Sequence, residues 1–284
     1  MKKLIIAFVL ASLAAFSLPA AADDFVISTG VEKGGYWAKG KNIKNQILKA
    51  ADKMDVRLDI EVIDSTGSPE NITRMNDGDA QLIMVQADAL NVMPVNVPIK
   101  TKSAGTEYVL WVYNIDNGYD DLDEIEGNEK AALVLVEGSG AEITMSSFVQ
   151  EDGGYEKNLK TAIYAMDLEE AFDIVADGRH EGRKVAGLLH VGSSIPQDLA
   201  KSFKGLVMVG SASDSDFNDA EDVNGEALYA NCEVTQKQAY GLTGFSDPDT
   251  VCVRALAVYT TDLESSKLVK AVRKGTSKAL RGVK

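Results

Sequence analysis

Residues 65–88, STGSPENITRMNDGDAQLIMVQAD, decide how the chain is read. The small residues Ser65 to Ser68 break the chain after an alternating, strand-like segment, VRLDIEVI at 56–63. Pro69 suits the first position of a helix, and Ser68 before it carries the hydroxyl of an N-cap. The segment AQLIMVQ at 80–86 is then apolar enough for a strand buried inside a parallel sheet. A strand, a helix and a buried strand in succession imply a parallel sheet covered on both faces.

The same alternation extends in both directions. Upstream, Phe25 to Ser28 is a short strand, and Tyr36 to Lys53 reads as a helix. Downstream, strands are expected at 108–113, 131–136, 184–191, 206–209 and 251–259, with helical stretches at 167–176 and 195–203. Ser139 and Glu142 have capping-box spacing at the start of a further helix. Thr261 and Glu264 repeat that spacing before a final helix, whose basic end (Lys274, Lys278, Arg281) complements the helix dipole. About 260 residues of this pattern exceed one small core and suit two α/β lobes. Low-complexity linker is absent, so the lobes are expected to be joined by strands that cross between them.

Composition excludes several classes of protein. Hydrophobic residues make up 45% and charged residues 25% of the 284, which rules out wholesale disorder and a multi-span membrane protein. The 43 acidic residues against 29 basic give a net charge of -14, which argues against nucleic acid or anionic lipid as partner. An anionic small ligand is compatible, because a few local donors suffice to bind one. Lys2 and Lys3, an apolar run from Leu4 to Phe16, and Leu18-Pro19-Ala20-Ala21-Ala22 read as a cleaved signal peptide over 1–22, so export to the periplasm is expected. The two cysteines, Cys232 and Cys252, are then expected to form a disulfide.

Three loops run from a strand end to a helix start, at 29–36, 65–71 and 137–142. Their glycines let a backbone approach a ligand, and free amides at a helix start take an anion. Spread over both inferred lobes, they suggest a cleft, which is where open α/β sheets bind ligands. The loop at 29–36 has the wrong spacing for a dinucleotide fingerprint. Gln86 and Asp88 end the buried strand and are placed for hydrogen bonding. Trp111 and Tyr113 are candidates to line a cleft, but aromatic residues in an apolar strand are more often core. Lys33, Arg74, Arg179 and Arg183 are candidate carboxylate partners, each also explained as a solvated surface charge. Catalysis finds little support: G-x-S-x-G is absent and the only histidines are His180 and His190. The acidic run 214–219 begins like a calcium loop but carries Asp219 where the turn glycine belongs and Gly225 where the bidentate glutamate belongs. Neither an enzyme, a metal site nor a cofactor is expected.

Four stretches together resemble the TAXI family of extracytoplasmic solute-binding proteins, which serve TRAP-type transporters. They are STGVEKGGYWAKG at 28–40, the stretch 65–88 already quoted, YDDLDEIEGNEKAALVLVEGSGAEIT at 119–144 and, more loosely, ESSKLVKAVRKG near the end. Ala141 stands where the family's G-S-G-T has threonine, and Glu32 and Lys33 enter a loop that is usually richer in glycine. The resemblance implies a two-lobed periplasmic-binding-protein-like fold of type II, with two α/β domains joined by crossing hinge strands. The expected division is 23–113 with 229–284 as lobe 1, and 114–228 as lobe 2. Carried onto this chain, it implies that Thr29, Gly34, Gly35, Tyr36, Gly67, Ser68, Asn71, Gln86, Ser139, Gly140 and Ser193 line the cleft. Its implied ligand is a small carboxylate, an amino acid such as glutamate or a dicarboxylate. The implied partner is a TRAP-type membrane transporter, with the chain itself a monomer. A ligand-presenting sensory protein for a membrane receptor, or a secreted antigen with a degenerate cleft, are the alternative readings.

Overall fold

The structure, a computed structural model, describes residues 23–32, 34–213, 216–222, 225–244 and 247–283. The expected signal peptide, Lys33 and part of the acidic run 214–219 lie outside these residues.

In chain order the first half contains β1 (Asp23–Ser28), α1 (Gly35–Asp52), β2 (Leu58–Ile63), α2 (Ser68–Asp77), β3 (Leu82–Gln86), α3 (Ala89–Val92) and β4 (Ile99–Asn114). Next come β5 (Ala131–Val136), α4 (Gly140–Glu151), α5 (Glu156–Lys160), β6 (Ile163–Ala165), α6 (Leu168–Asp177), the two-residue β7 (Arg179–His180), β8 (Arg183–Gly192), α7 (Gln197–Ser202) and β9 (Val207–Gly210). The chain closes with β10 (Tyr229–Glu233), α8 (Gln236–Ala239), β11 (Asp249–Thr260) and α9 (Ser266–Ala279).

Strand order shows the same plan twice. One half runs β2-β1-β3-β11-β4 and the other β6-β5-β8-β4-β9. In each, the first three strands are parallel, and one antiparallel strand, β11 in the first and β4 in the second, is inserted before the last. This is the two-lobed periplasmic-binding-protein-like arrangement of type II that was expected. Its long-range repeat of topology is carried by no repeat of residues.

The connection between the lobes is the sixteen-residue β4. Ile99 to Thr106 pair with β11 in lobe 1, and Tyr108 to Tyr113 pair with β8 in lobe 2. The expected boundary at 113/114 falls at the far end of this crossing strand. β11 crosses too: Thr250 bridges Ala212 and donates to the Val109 carbonyl, both in the lobe 2 part of the sheet, while Ala255 to Tyr259 pair with β3 in lobe 1. Gly105 (φ 117°) and a register shift between Ala255 and Leu256 mark where the two strands bend.

Three apolar clusters follow from this layout. One packs α1 and α9 on the outer face of lobe 1, around Ile43, Ile47, Leu268 and Val272. Here Gly275 is required: a Cβ on it would lie 2.5 Å from the backbone of Ile47. A second packs α6 on lobe 2 around Phe172 and Val175. The third is central and joins Ile83 and Val85 of lobe 1 to Trp111, Leu133 and Phe148 of lobe 2. Trp111 is core, as read from the sequence, and its indole Nε1–H donates to the Tyr119 carbonyl at 2.9 Å.

Two helix starts differ from the expectation. The N-cap of α2 is Gly67, because the Ser68 hydroxyl is already engaged by Gln86. The N-cap of α9 is Ser265, whose Oγ accepts from Leu268 N at 3.1 Å, and not Thr261. Thr260 and Thr261 donate instead to the Pro98 carbonyl, which holds that segment against the chain entering β4. Cys232 and Cys252 form the expected disulfide between β10 and β11.

Candidate ligand-binding site

The three strand-to-helix loops meet where the lobes face each other. A Cβ added to Gly67 would lie 3.0 Å from the Gly138 carbonyl oxygen and 3.1 Å from the Gly140 amide nitrogen. One added to Gly140 would lie 2.1 Å from Gln86 Oε1. Gly67, Gln86 and Gly140 thus form one seam between the lobes, and bare backbone is what lets the loops close on one another. On the other side, Gly35 at the start of α1 comes within van der Waals reach of Ser193. The amino ends of α2 and α4 therefore meet across the seam, and that of α1 faces Ser193 at the end of β8, each with its positive dipole end.

Several of the expected site residues serve the loops themselves. Asn71 is fully buried; its Nδ2 donates to the carbonyls of Thr29 and of Met84 (2.7 Å), and its Oδ1 accepts from Ser28 Oγ at 2.5 Å. The Thr29 hydroxyl donates to the Ile63 carbonyl at 2.9 Å. Gly34 closes a tight turn, its amide donating to the Val31 carbonyl. Ser139 caps α4, accepting from Glu142 N, while Glu142 Oε2 accepts from Gly138 N at 2.9 Å. The Ser68 hydroxyl accepts from Gln86 N and points its own hydrogen at Gln86 Oε1. Arg74 is engaged by Glu70, the Asp64 carbonyl and Ser28, on the outer side of α2.

Two carboxyls that the sequence did not place together lie at the seam. Asp88 is fully buried, and its Oδ2 accepts from Thr144 Oγ1 of α4 at 2.6 Å and from the Tyr229 hydroxyl at 3.0 Å. Burial pushes its pKa up to about 6, against the pull of those hydrogen bonds. Glu107 sits where β4 passes between the lobes, and its Oε2 accepts from the Tyr36 hydroxyl at 2.6 Å. Withdrawal of its carboxyl from water pushes its pKa up to about 7; Tyr36 and Lys39 oppose this and the nearby Asp88 adds to it. The same burial and the Glu107 charge raise the Tyr36 phenol well above its ordinary value. His190, on β8 beside the Ser193 rim, is depressed to about 4 by burial.

Nothing local signals Glu107, which stands in the polar run KTKSAGTE. Asp88 follows the buried strand directly, and its position there was the only available sign. A depression of about 830 Å³ lies elsewhere, on the outer side of α1, between Lys41, Lys44, Asp59 and Glu61. It is an open groove over the β1–β2 edge and shares no residue with the converging loops. Among the described residues, no group of three or more His, Cys, Asp and Glu side chains is placed to hold a metal ion. Nor is any described helix long and apolar enough to cross a membrane.

Fold and seam together define a two-lobed α/β protein with crossing strands. No protein-family model matches the chain, and no curated protein matches it. Solved structures similar in backbone include the periplasmic VFT2 domain of BvgS from Bordetella pertussis, at 14% identity and TM-score 0.47, covering 90% of this chain and 92% of that one. A sulfate-bound mutant regulatory domain of OxyR2 from Vibrio vulnificus is similar at 9% identity and TM-score 0.46, covering 91% and 97%.

Proposed function

We propose that the chain is an extracytoplasmic solute-binding protein of the TAXI type, which captures a small carboxylate-bearing solute between its lobes and delivers it to a TRAP-type transporter in the membrane. The meeting of the amino ends of α2 and α4 at the seam, with that of α1 facing Ser193 of the other lobe, supports this reading more than any other observation. Helix amino ends drawn from both lobes favour an anionic group between them, so such a group binds best when the lobes are closed. Closure works through the two crossing strands, and the closed form is what the membrane subunits would read. No bond is made or broken in this scheme. The Cys232–Cys252 disulfide fits an oxidising compartment, in agreement with periplasmic export.

Native mass spectrometry of the protein purified from an exporting host tests the reading. A discrete added mass, lost on mild activation, is the expected result. Titration calorimetry on refolded, ligand-free protein that finds no saturable binding of any amino acid, 2-oxo acid or dicarboxylate defeats it.

A further inference from the structure

Charge is spread unevenly over the chain. Residues 114–228 carry 25 acidic and 8 basic side chains, a net of -17, whereas 23–113 with 229–284 carry 18 and 19, a net of +1. The overall net charge describes neither half, and its objection to an anionic partner applies to lobe 2 alone. Within lobe 1 the cations are gathered further: α1 and α9 together hold nine Lys and Arg against one carboxylate, Asp52.

In α9 the buried side is Leu268, Ala271, Val272, Gly275 and Thr276. The exposed side is Ser, Lys and Arg only, with Lys267, Lys270, Arg273, Lys274 and Lys278 continued by Arg281. Steps of three and four residues align them in one stripe, about 20 Å long. The helix dipole accounts for the cations near the carboxyl end. It does not account for Lys267 in the first turn, where the dipole disfavours a cation and no acidic residue balances it. Asn42 Nδ2 donates to the Ala279 carbonyl at 3.0 Å and Gly275 lies against Ile47, so α1 and α9 run in opposite directions. The exposed Lys49 and Lys53, at the carboxyl end of α1, thus lie beside the amino half of α9 and widen the stripe. Lys41 and Lys44 turn the other way, to the groove that Asp59 and Glu61 share. Among the described residues, no ion pair uses a cation of either helix.

We propose that this face docks on an anionic phospholipid surface and holds the protein to a membrane by lobe 1. The partner is read from the charge of the face and from its lack of anchors. A protein partner is typically gripped through aromatic or other large side chains in pockets. None of the exposed large apolar residues lies on α1 or α9. A row of cations on long flexible stems suits a plane of headgroup phosphates instead. At physiological salt a charge is felt over only about 8 Å, so carboxylates of lobe 2 farther than that from the surface do not oppose contact. On approach the acidic lobe is repelled and the basic face attracted, which turns lobe 1 toward the membrane. The proposal is independent of what binds between the lobes.

The test is sedimentation of the chain from Asp23 onward with vesicles of phosphatidylcholine, alone or with about one-third phosphatidylglycerol. Starting there leaves out the apolar run from Leu4 to Phe16, which would enter a bilayer by itself. The expected result is partitioning at least about tenfold stronger onto the anionic vesicles, and lost in high salt. Lys267→Gln, Lys270→Gln and Lys274→Gln combined should remove at least about tenfold of it. Lys201→Gln with Lys204→Gln, equally exposed but in lobe 2, should leave it unchanged. Circular dichroism checks that both variants fold, and Arg281→Gln, beyond the end of α9, should give a smaller loss in the same direction. Equal partitioning onto both vesicle types, or equal losses in the two lysine variants, overturns the proposal. So does self-association in analytical ultracentrifugation that the α9 variant abolishes, without vesicle binding; the face would then belong to lobe 2 of a second copy.

Discussion

The amide of Asn71 ties the end of β1 to β3, using both its hydrogens and its oxygen inside lobe 1. Asn71→Ala removes three buried hydrogen bonds, although the Thr29 carbonyl keeps Ser65 and the Ser28 hydroxyl keeps Arg74, at a cost of about 2 kcal/mol. Urea unfolding should show a lower midpoint at unchanged slope. In the sequence, the E-N pair at 70–71 is as compatible with ligand contact as with this role. Only the pairing of β1 with β3, Ser28 against Ile83, turns it inward. Glu107 is the residue with the clearest pH signature. Its carboxyl moves from an ordinary 4.5 to about 7 on folding, so the folded chain holds the proton more tightly. That stability is complete below about 4.5 and is lost as pH rises through 7. Asp88 acts likewise in a lower window, from 3.8 to about 6. His190 acts oppositely, because its folded value of about 4 lies below 6.5 and stability is lost as pH falls through that interval. Between pH 8 and 6.5, Glu107 is therefore the main contributor of the three. Acidification across it should stabilise the ligand-free protein by roughly 1 kcal/mol, a rise of about 2 °C in Tm. Glu107→Gln should remove that rise in a calorimetric pH series.

Among the elements, α9 separates motif from structure. Thr261-Asp262-Leu263-Glu264 has the spacing of a capping box, yet the helix starts at Ser266 with Ser265 as its cap. Ser265→Ala should therefore cost about 1 kcal/mol in chemical denaturation, through loss of the cap. Thr261→Ala should cost less, because the Pro98 carbonyl it serves also accepts from Thr260. Both sites offer a capping hydroxyl, and the choice between them is made by the chain that enters β4, more than 160 residues away. The amino half of β4 illustrates the converse. KTKSAGTE is polar and mostly exposed, so no periodicity marks it as a strand; pairing with β11 makes it one. Buried strands such as 82–86 and 131–136 were legible because their burial is written in their own composition. Of the crossing strand only 108–113 was legible; its amino half was not, and Glu107 was hidden with it.

At the scale of the molecule, the two-lobed plan could be read from alternating strands and helices, whereas its internal symmetry could not. The two halves share strand order and direction but no residue pattern, because topology constrains which strands pair and not which side chains they carry. The central apolar cluster draws on both lobes, with Ile83 and Val85 packed in the same body as Leu133 and Phe148. Lobes that share a core should not melt separately. Scanning calorimetry is therefore expected to give a single transition, with calorimetric and van't Hoff enthalpies in agreement. Two resolved transitions would mean that the crossing strands alone couple the halves.

The placement of β11 also sets an order of events. In lobe 1 it lies between β3 and β4, so the strands made first have no complete sheet until nearly the last segment of the chain arrives. Lobe 2 has no such wait, since β4 precedes β5, β6, β8 and β9 in the chain and pairs with β8 and β9 directly. A chain threaded amino end first through a narrow opening would thus keep its leading third unlocked until its tail came through. The part that emerges earliest is the part that sets last.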